Sequence, residues 1–213
     1  MKYYPLAALS VFLIAGCSRG PAEYEATFEP NLVHSMKYEL KEGIPMDGAS
    51  ADANWIVDGM FGTPDEPALP TVLLEEDFAE LFSMDRLKKA AGPNAEGSGL
   101  YRKHCVSCHG VSGNGRGERS ANLDPYPRDY RLGVFKFKST KRGAKPVRED
   151  LARSIRNGIA GTAMKKIPEL KEDDIQALVD YVIYLSIRGE LERTLIDDAI
   201  FELDLVGDEE NEP

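Results

Sequence analysis

Cys105-Val106-Ser107-Cys108-His109 constrains this chain more than any other stretch of it. Two thiols separated by two residues, with an imidazole next to the second, put three donor side chains on about one helical turn. Cys17 is the only other cysteine, so a disulfide scaffold is excluded. A redox-active pair of thioredoxin type wants a buried strand before it, and Leu100-Tyr101-Arg102-Lys103-His104 is not one. A zinc site wants further Cys or His ligands. Outside the motif only His34 and His104 remain, and His104 abuts it. The pattern that fits is the attachment motif of c-type haem. The two thiols add across the two vinyl groups of one porphyrin edge, and His109 supplies the proximal nitrogen to the iron.

The second face of that iron is a question of spacing. Met164 lies 55 residues beyond His109, inside Gly161-Thr162-Ala163-Met164, a loop between two helical patterns. A thioether from such a loop reaches the opposite porphyrin face, and Met/His ligation raises the reduction potential. The alternative is a packing methionine, with the iron open or bound by a second histidine. Met36, Met46, Met60 and Met84 all precede residue 91 and read as core or surface residues. A filled sixth position leaves no room for a substrate, so the expected role is carrying single electrons without substrate chemistry. An open position would instead make a haem enzyme or sensor. A second C-x-x-C-H is absent, so one haem is expected.

The amino end reads as an address. Met1 to Cys17 is MKYYPLAALSVFLIAGC, with Lys2 ahead of a short apolar stretch and small residues before the cysteine. Ile14-Ala15-Gly16-Cys17 resembles the lipobox of bacterial lipoproteins, which implies removal of residues 1–16 and lipidation of Cys17. The alternative is an ordinary secretory signal with a coincidental cysteine. Either places the protein outside the cytoplasm, in the periplasm and, when lipidated, on a membrane surface. Ser18 after the cysteine favours an outer over an inner membrane in a host that has both. No apolar run reaches the roughly 18 residues of a spanning helix.

Residues 17–30 read as a tether, and residues 31–91 as an acidic, helix-patterned region of unknown role. Ser50 is a candidate cap for a helix to Phe61, and Leu73, Leu74, Phe78, Leu81 and Phe82 recur at helical spacing in another. Ala91 to Gly99 is rich in turn formers. Residues 97–189 read as a compact helical unit. Within it Arg148 to Asn157 is predicted as a short helix and Glu172 to Arg188 as a longer one, with Gly189 at its stop. Residues 190–213 read as an acidic helix over Leu191 to Leu205 followed by a disordered tail. The expected fold class is all-α: one small helical haem domain with a mostly helical extension before it.

On these residues, Gly97 to Gly189 resembles a monohaem class I cytochrome c of bacterial respiratory chains. Gly97-x-x-x-Tyr101 and Leu178-x-x-Tyr181 look like the family's contact between first and last helices. The runs Pro125-Tyr126-Pro127-Arg128-Asp129-Tyr130 and Phe135 to Thr140 are similar to exported members. The resemblance implies that Pro125 or Pro127 offers a carbonyl to the other nitrogen of His109, and that Arg128 or Tyr130 meets a haem propionate. Lys165 and Lys166 follow Met164 where the family usually has a proline.

Charge divides the chain. The net is −10, which argues against nucleic acid as a partner. Tyr101 to Lys166 nevertheless holds 16 basic and 5 acidic residues, a balance of +11, and the remainder carries −21. A cationic haem domain flanked by acidic segments suits docking to an acidic-faced redox protein or respiratory complex, where complementary charge accelerates encounter. The rival readings are a fixed subunit of a larger respiratory assembly, with the acidic amino-terminal part as its interface, and a basic face neutralised within the chain.

Overall fold

A computed structural model describes residues 26–75, 78, 81–93 and 99–201. The signal segment, Cys17, most of the tether, Gly97 and the tail from Gly207 lie outside the described residues. Within them the chain is all-α, with no strand beyond two isolated bridges, Gly62 with Pro67 and Gly158 with Lys165. The helices are α1 (Leu32–Glu42), α2 (Asp47–Phe61), α3 (Met84–Ala90), α4 (Leu100–His104), α5 (Val106–His109), α6 (Arg148–Asn157) and α7 (Glu172–Phe201). Among the described residues no helix is long and apolar enough to cross a membrane.

Helix α7 organises the rest. Its 30 residues span about 45 Å. Glu172, Asp173 and Asp174 stand in its first turn, where negative charge opposes the helix dipole favourably. Ile175, Leu178, Val179, Val182 and Leu185 are buried along it. Tyr101 from α4 stacks obliquely on Tyr181, ring centres 4.8 Å apart, and its hydroxyl donates to the Gly110 carbonyl at 3.0 Å. That pair is where α4 crosses α7.

Several expectations need correction. Gly189 does not end the helix, which runs on to Phe201. Its missing side chain serves contact instead: a Cβ there would lie 2.5 Å from the Cα of Arg131. Ser50 does not cap α2, which starts at Asp47; Ser50 sits inside the helix, buried, with no hydrogen bond to its hydroxyl. The apolar spacing from Leu73 to Phe82 is not one helix. Thr71–Leu74 is a single 3₁₀ turn, and regular helix resumes only at Met84, after Ser83 accepts from the Arg86 N–H at 3.5 Å. Leu73, Leu81 and Phe82 still turn inward, so their periodicity reports burial rather than helix.

The amino-terminal region shares a core with the segment from Tyr101 to Leu185. Phe28, Val57, Phe61, Phe82 and Leu87 belong to the same core as Tyr101, Tyr181 and Tyr184. The Tyr184 hydroxyl donates to the Phe61 carbonyl at 2.5 Å and the Tyr181 hydroxyl to the Pro64 carbonyl at 3.2 Å. A buried charge cluster sits beyond this contact. Arg188, 1% exposed, donates to Asp58 at 2.5 Å and to Glu192 at 3.4 Å, and lies 4.2 Å over the Phe28 ring. Burial pushes the Glu192 carboxyl above its usual range, and Arg188 pulls it back. Farther along α7, Asp197 accepts from Tyr38 at 2.5 Å and meets His34 at 2.6 Å, both on α1.

Removing one partner of a buried pair leaves a charge uncompensated. Arg188→Ala is therefore expected to cost about 3–5 kcal/mol, read as a lowered urea midpoint of the whole transition.

Candidate haem-binding site

The motif occupies a tight bend between two short helices. Cys105 separates α4 from α5, and His109 closes α5 before Gly110. Cys105 and Cys108 are both unpaired thiols. Burial, with Cys108 adding to it, pushes the Cys105 thiol up to about 12.

The loop after the motif is built to press on it. Gly117 N–H donates to the Cys108 carbonyl at 3.2 Å, Gly115 N–H to the His109 carbonyl at 2.9 Å, and Arg119 N–H to the Ser107 carbonyl at 2.9 Å. A Cβ on Gly117 would fall 2.5 Å from the Ser107 carbonyl carbon, so only glycine permits this approach. Asn114 braces the loop by accepting from the Arg116 N–H at 2.8 Å and donating to Glu29. The amino-terminal segment thus reaches the loop next to the motif, and Glu29 N–H also donates to Ser112 at 2.6 Å.

His109 is oriented on two sides. Its Nδ1 lies 3.2 Å from the Arg128 carbonyl, and Tyr130 stacks on the ring with centres 4.7 Å apart and planes 17° from parallel. The carbonyl partner is therefore Arg128, not Pro125 or Pro127. With Nδ1 donating there, Nε2 is left as the nitrogen able to ligate. Burial lowers the pKa of His109 and the Arg128 carbonyl raises it, leaving a net drop that favours the neutral, ligating form. Phe135 extends the stack beyond Tyr130, and Leu132, Val134 and Phe137 around it are exposed apolar residues.

Met164 sits half-buried in a pinned loop. The Ile159 N–H donates to its carbonyl at 2.8 Å, and its own N–H donates to the Thr162 hydroxyl at 3.1 Å. The Gly158–Lys165 bridge closes the loop, so backbone pairing supplies restraint where the family's proline is missing.

The donor set fits haem c. It comprises two thiols, one imidazole with a free nitrogen and one thioether on a separate loop. Among the described residues no group of three His, Cys, Asp or Glu side chains is placed to hold a bare metal ion. A porphyrin would supply the in-plane nitrogens, with Cys105 and Cys108 to hold it and His109 and Met164 as donors to its iron.

Residues 92–182 match the family described as cytochrome c oxidase, cbb3-type, subunit III. Over this stretch the chain is similar to a cytochrome c domain. Such a domain implies covalent haem c and haem-based electron transfer. A chain of the reducing HAO-like protein complex of Kuenenia stuttgartiensis is 30% identical over 49% of this chain and 42% of that one, with a TM-score of 0.40. This chain therefore covers less than half the length of that relative. No curated protein matches.

The matched stretch contains features that motif reading missed. The Tyr130 stack and the Asn114 brace join His109 to residues as far as Glu29. The one visible signal was the run of glycines at 110, 113, 115 and 117 directly after the motif. Gly117→Ala should overpack the attachment turn at a cost of about 1–3 kcal/mol, measured as a lower midpoint in thermal or urea unfolding.

Proposed function

We propose that the chain is a lipid-anchored periplasmic cytochrome that carries single electrons through one haem. Cys105 and Cys108 hold the porphyrin by thioether bonds, and His109 and Met164 are the axial ligands. The observation that carries this reading is the orientation of His109, its Nδ1 at the Arg128 carbonyl and its ring against Tyr130, on the turn that bears both thiols. Haem c, when bound, supplies an iron that cycles between ferrous and ferric states. The chain's part is to hold two ligands in both states and to exclude others. The pinned backbone around Met164 serves that end, since a ligand that does not move adds little reorganisation to each transfer.

The docking face is narrower than total charge suggests. Lys145 is paired with Glu190, Lys138 donates to the Thr140 and Lys141 carbonyls, and Arg102 bonds Asp65 at 2.5 Å. Lys136, Lys141, Arg142, Lys165 and Lys166 are exposed and have no side-chain partner among the described residues. These five support docking to an acidic-faced redox protein or respiratory complex. The Cys17 lipobox supports tethering to a membrane, which confines the search for that partner to a thin layer.

A potentiometric titration of purified holoprotein, with spectra throughout, tests the reading. Met164→Ala should abolish the thioether-to-iron charge-transfer band of the oxidised protein and lower the reduction potential. Wild-type iron that is high-spin and binds carbon monoxide readily would favour an enzyme or sensor instead. Reversing Lys165 and Lys166 to Glu should slow reduction by an acidic partner ~10-fold at low ionic strength and far less at high salt, in stopped-flow traces.

A further inference from the structure

Helix α1 is inverted. A surface helix ordinarily buries its apolar side, yet here the inward residues are His34, Ser35 and Tyr38. Leu32, Met36 and Leu40, four residues apart, point the other way and are 56%, 46% and 80% exposed, with Val33 beside them at 50%. No charge interrupts the stripe; Lys37 and Glu39 fall on its two margins, and the Lys37 ammonium is drawn over the Tyr38 ring at 5.1 Å. Polar bonds from Asp197 hold the inward side, so α1 is fixed in this orientation.

Two observations say what such a face meets. Its four side chains offer much less than the about 800 Å² per partner that a stable protein interface takes. A short apolar stripe with charged margins suits a helix lying in a lipid interface, where a weak contact needs only to orient a molecule already retained. The anchor is also close to α1 in sequence. Ala26 N–H donates to Asp65 at 3.0 Å and Phe28 is buried, so the chain is pinned six residues before α1 begins. Eight residues lie between Cys17 and Ala26, and the nine steps of chain reach at most about 30 Å.

We propose that the Leu32–Met36–Leu40 face of α1, with Val33, lies in the headgroup boundary of the phospholipid bilayer that holds the lipidated Cys17. The acyl chains retain the protein and the stripe sets its orientation. This rests on the lipid-anchor reading of Cys17. Asp173, at the other end of α7, lies 24 residues before Asp197, about 36 Å along the helix from the contact with α1.

The test uses mature, lipidated holoprotein carrying Leu40→Cys or, as control, Asp173→Cys, each labelled with an environment-sensitive fluorophore. The proteins are reconstituted in phosphatidylcholine vesicles containing spin-labelled phosphatidylcholine, and Cys17 is weighed by mass spectrometry. The expected result is quenching several-fold stronger at position 40 than at position 173, abolished by adding Met36→Asp. Equal quenching at both positions with Cys17 lipidated overturns the docking face and leaves the anchor standing. An unlipidated Cys17 removes both. A position-40 probe shielded from water yet untouched by the lipid quencher places a protein on this face and also overturns the inference.

Discussion

Arg188 has nowhere to place its charge except on the chain itself. It lies inside the long helix, 1% exposed, and its partners come from the segments before the haem unit: Phe28 beneath the guanidinium and Asp58 at its tip, with Glu192 one turn on. Replacing such a cluster by apolar side chains is often neutral or favourable, so its presence is weak evidence of stability as such. What it imposes is register. The placement of α2 and the segment around Phe28 that pairs this cation also brings Glu29 to the loop beyond the motif.

From that register the site follows by short steps. Glu29 and Asn114 set the loop, the loop's glycines close on the carbonyls of Ser107, Cys108 and His109, and Tyr130 N–H donates to the Gly113 carbonyl at 2.8 Å. Tyr130 is thereby fixed flat on His109, next to the Arg128 carbonyl that holds Nδ1. The imidazole is oriented directly by Arg128 and Tyr130, and behind them stand the loop at Gly113 and Asn114 and, farther off in sequence, Glu29. Its geometry is a property of the whole packed chain rather than of five residues.

What could be read from the residues divides along that line. The motif, helix α6 with the bounds Arg148 and Asn157, and the apolar side of α7 were legible, because attachment chemistry and helical periodicity are local. The carbonyl partner of His109 was misplaced by one to three residues, since no local rule says which peptide of a loop faces a ring. Gly189 read as a stop because glycine commonly follows a helix, yet here tertiary contact with Arg131 outweighs the roughly 1 kcal/mol that glycine costs within one. Ser50 has the side chain of a cap, and packing placed it three residues inside. The outward stripe of α1 was invisible for a related reason: a pattern of apolar residues shows that a helix has two sides without saying which one is inside.

The unbroken passage of α7 through Gly189 makes the family boundary a poor place to cut. The matched segment stops at residue 182, a little over a third of the way along that helix. A fragment trimmed there would keep the cysteines and both candidate ligands, and lose Tyr184, Arg188 and the glycine seat of Arg131. The matched stretch and the core that holds it therefore differ in extent: the core reaches back to Phe28 and forward past residue 182 to Tyr184 and Leu185.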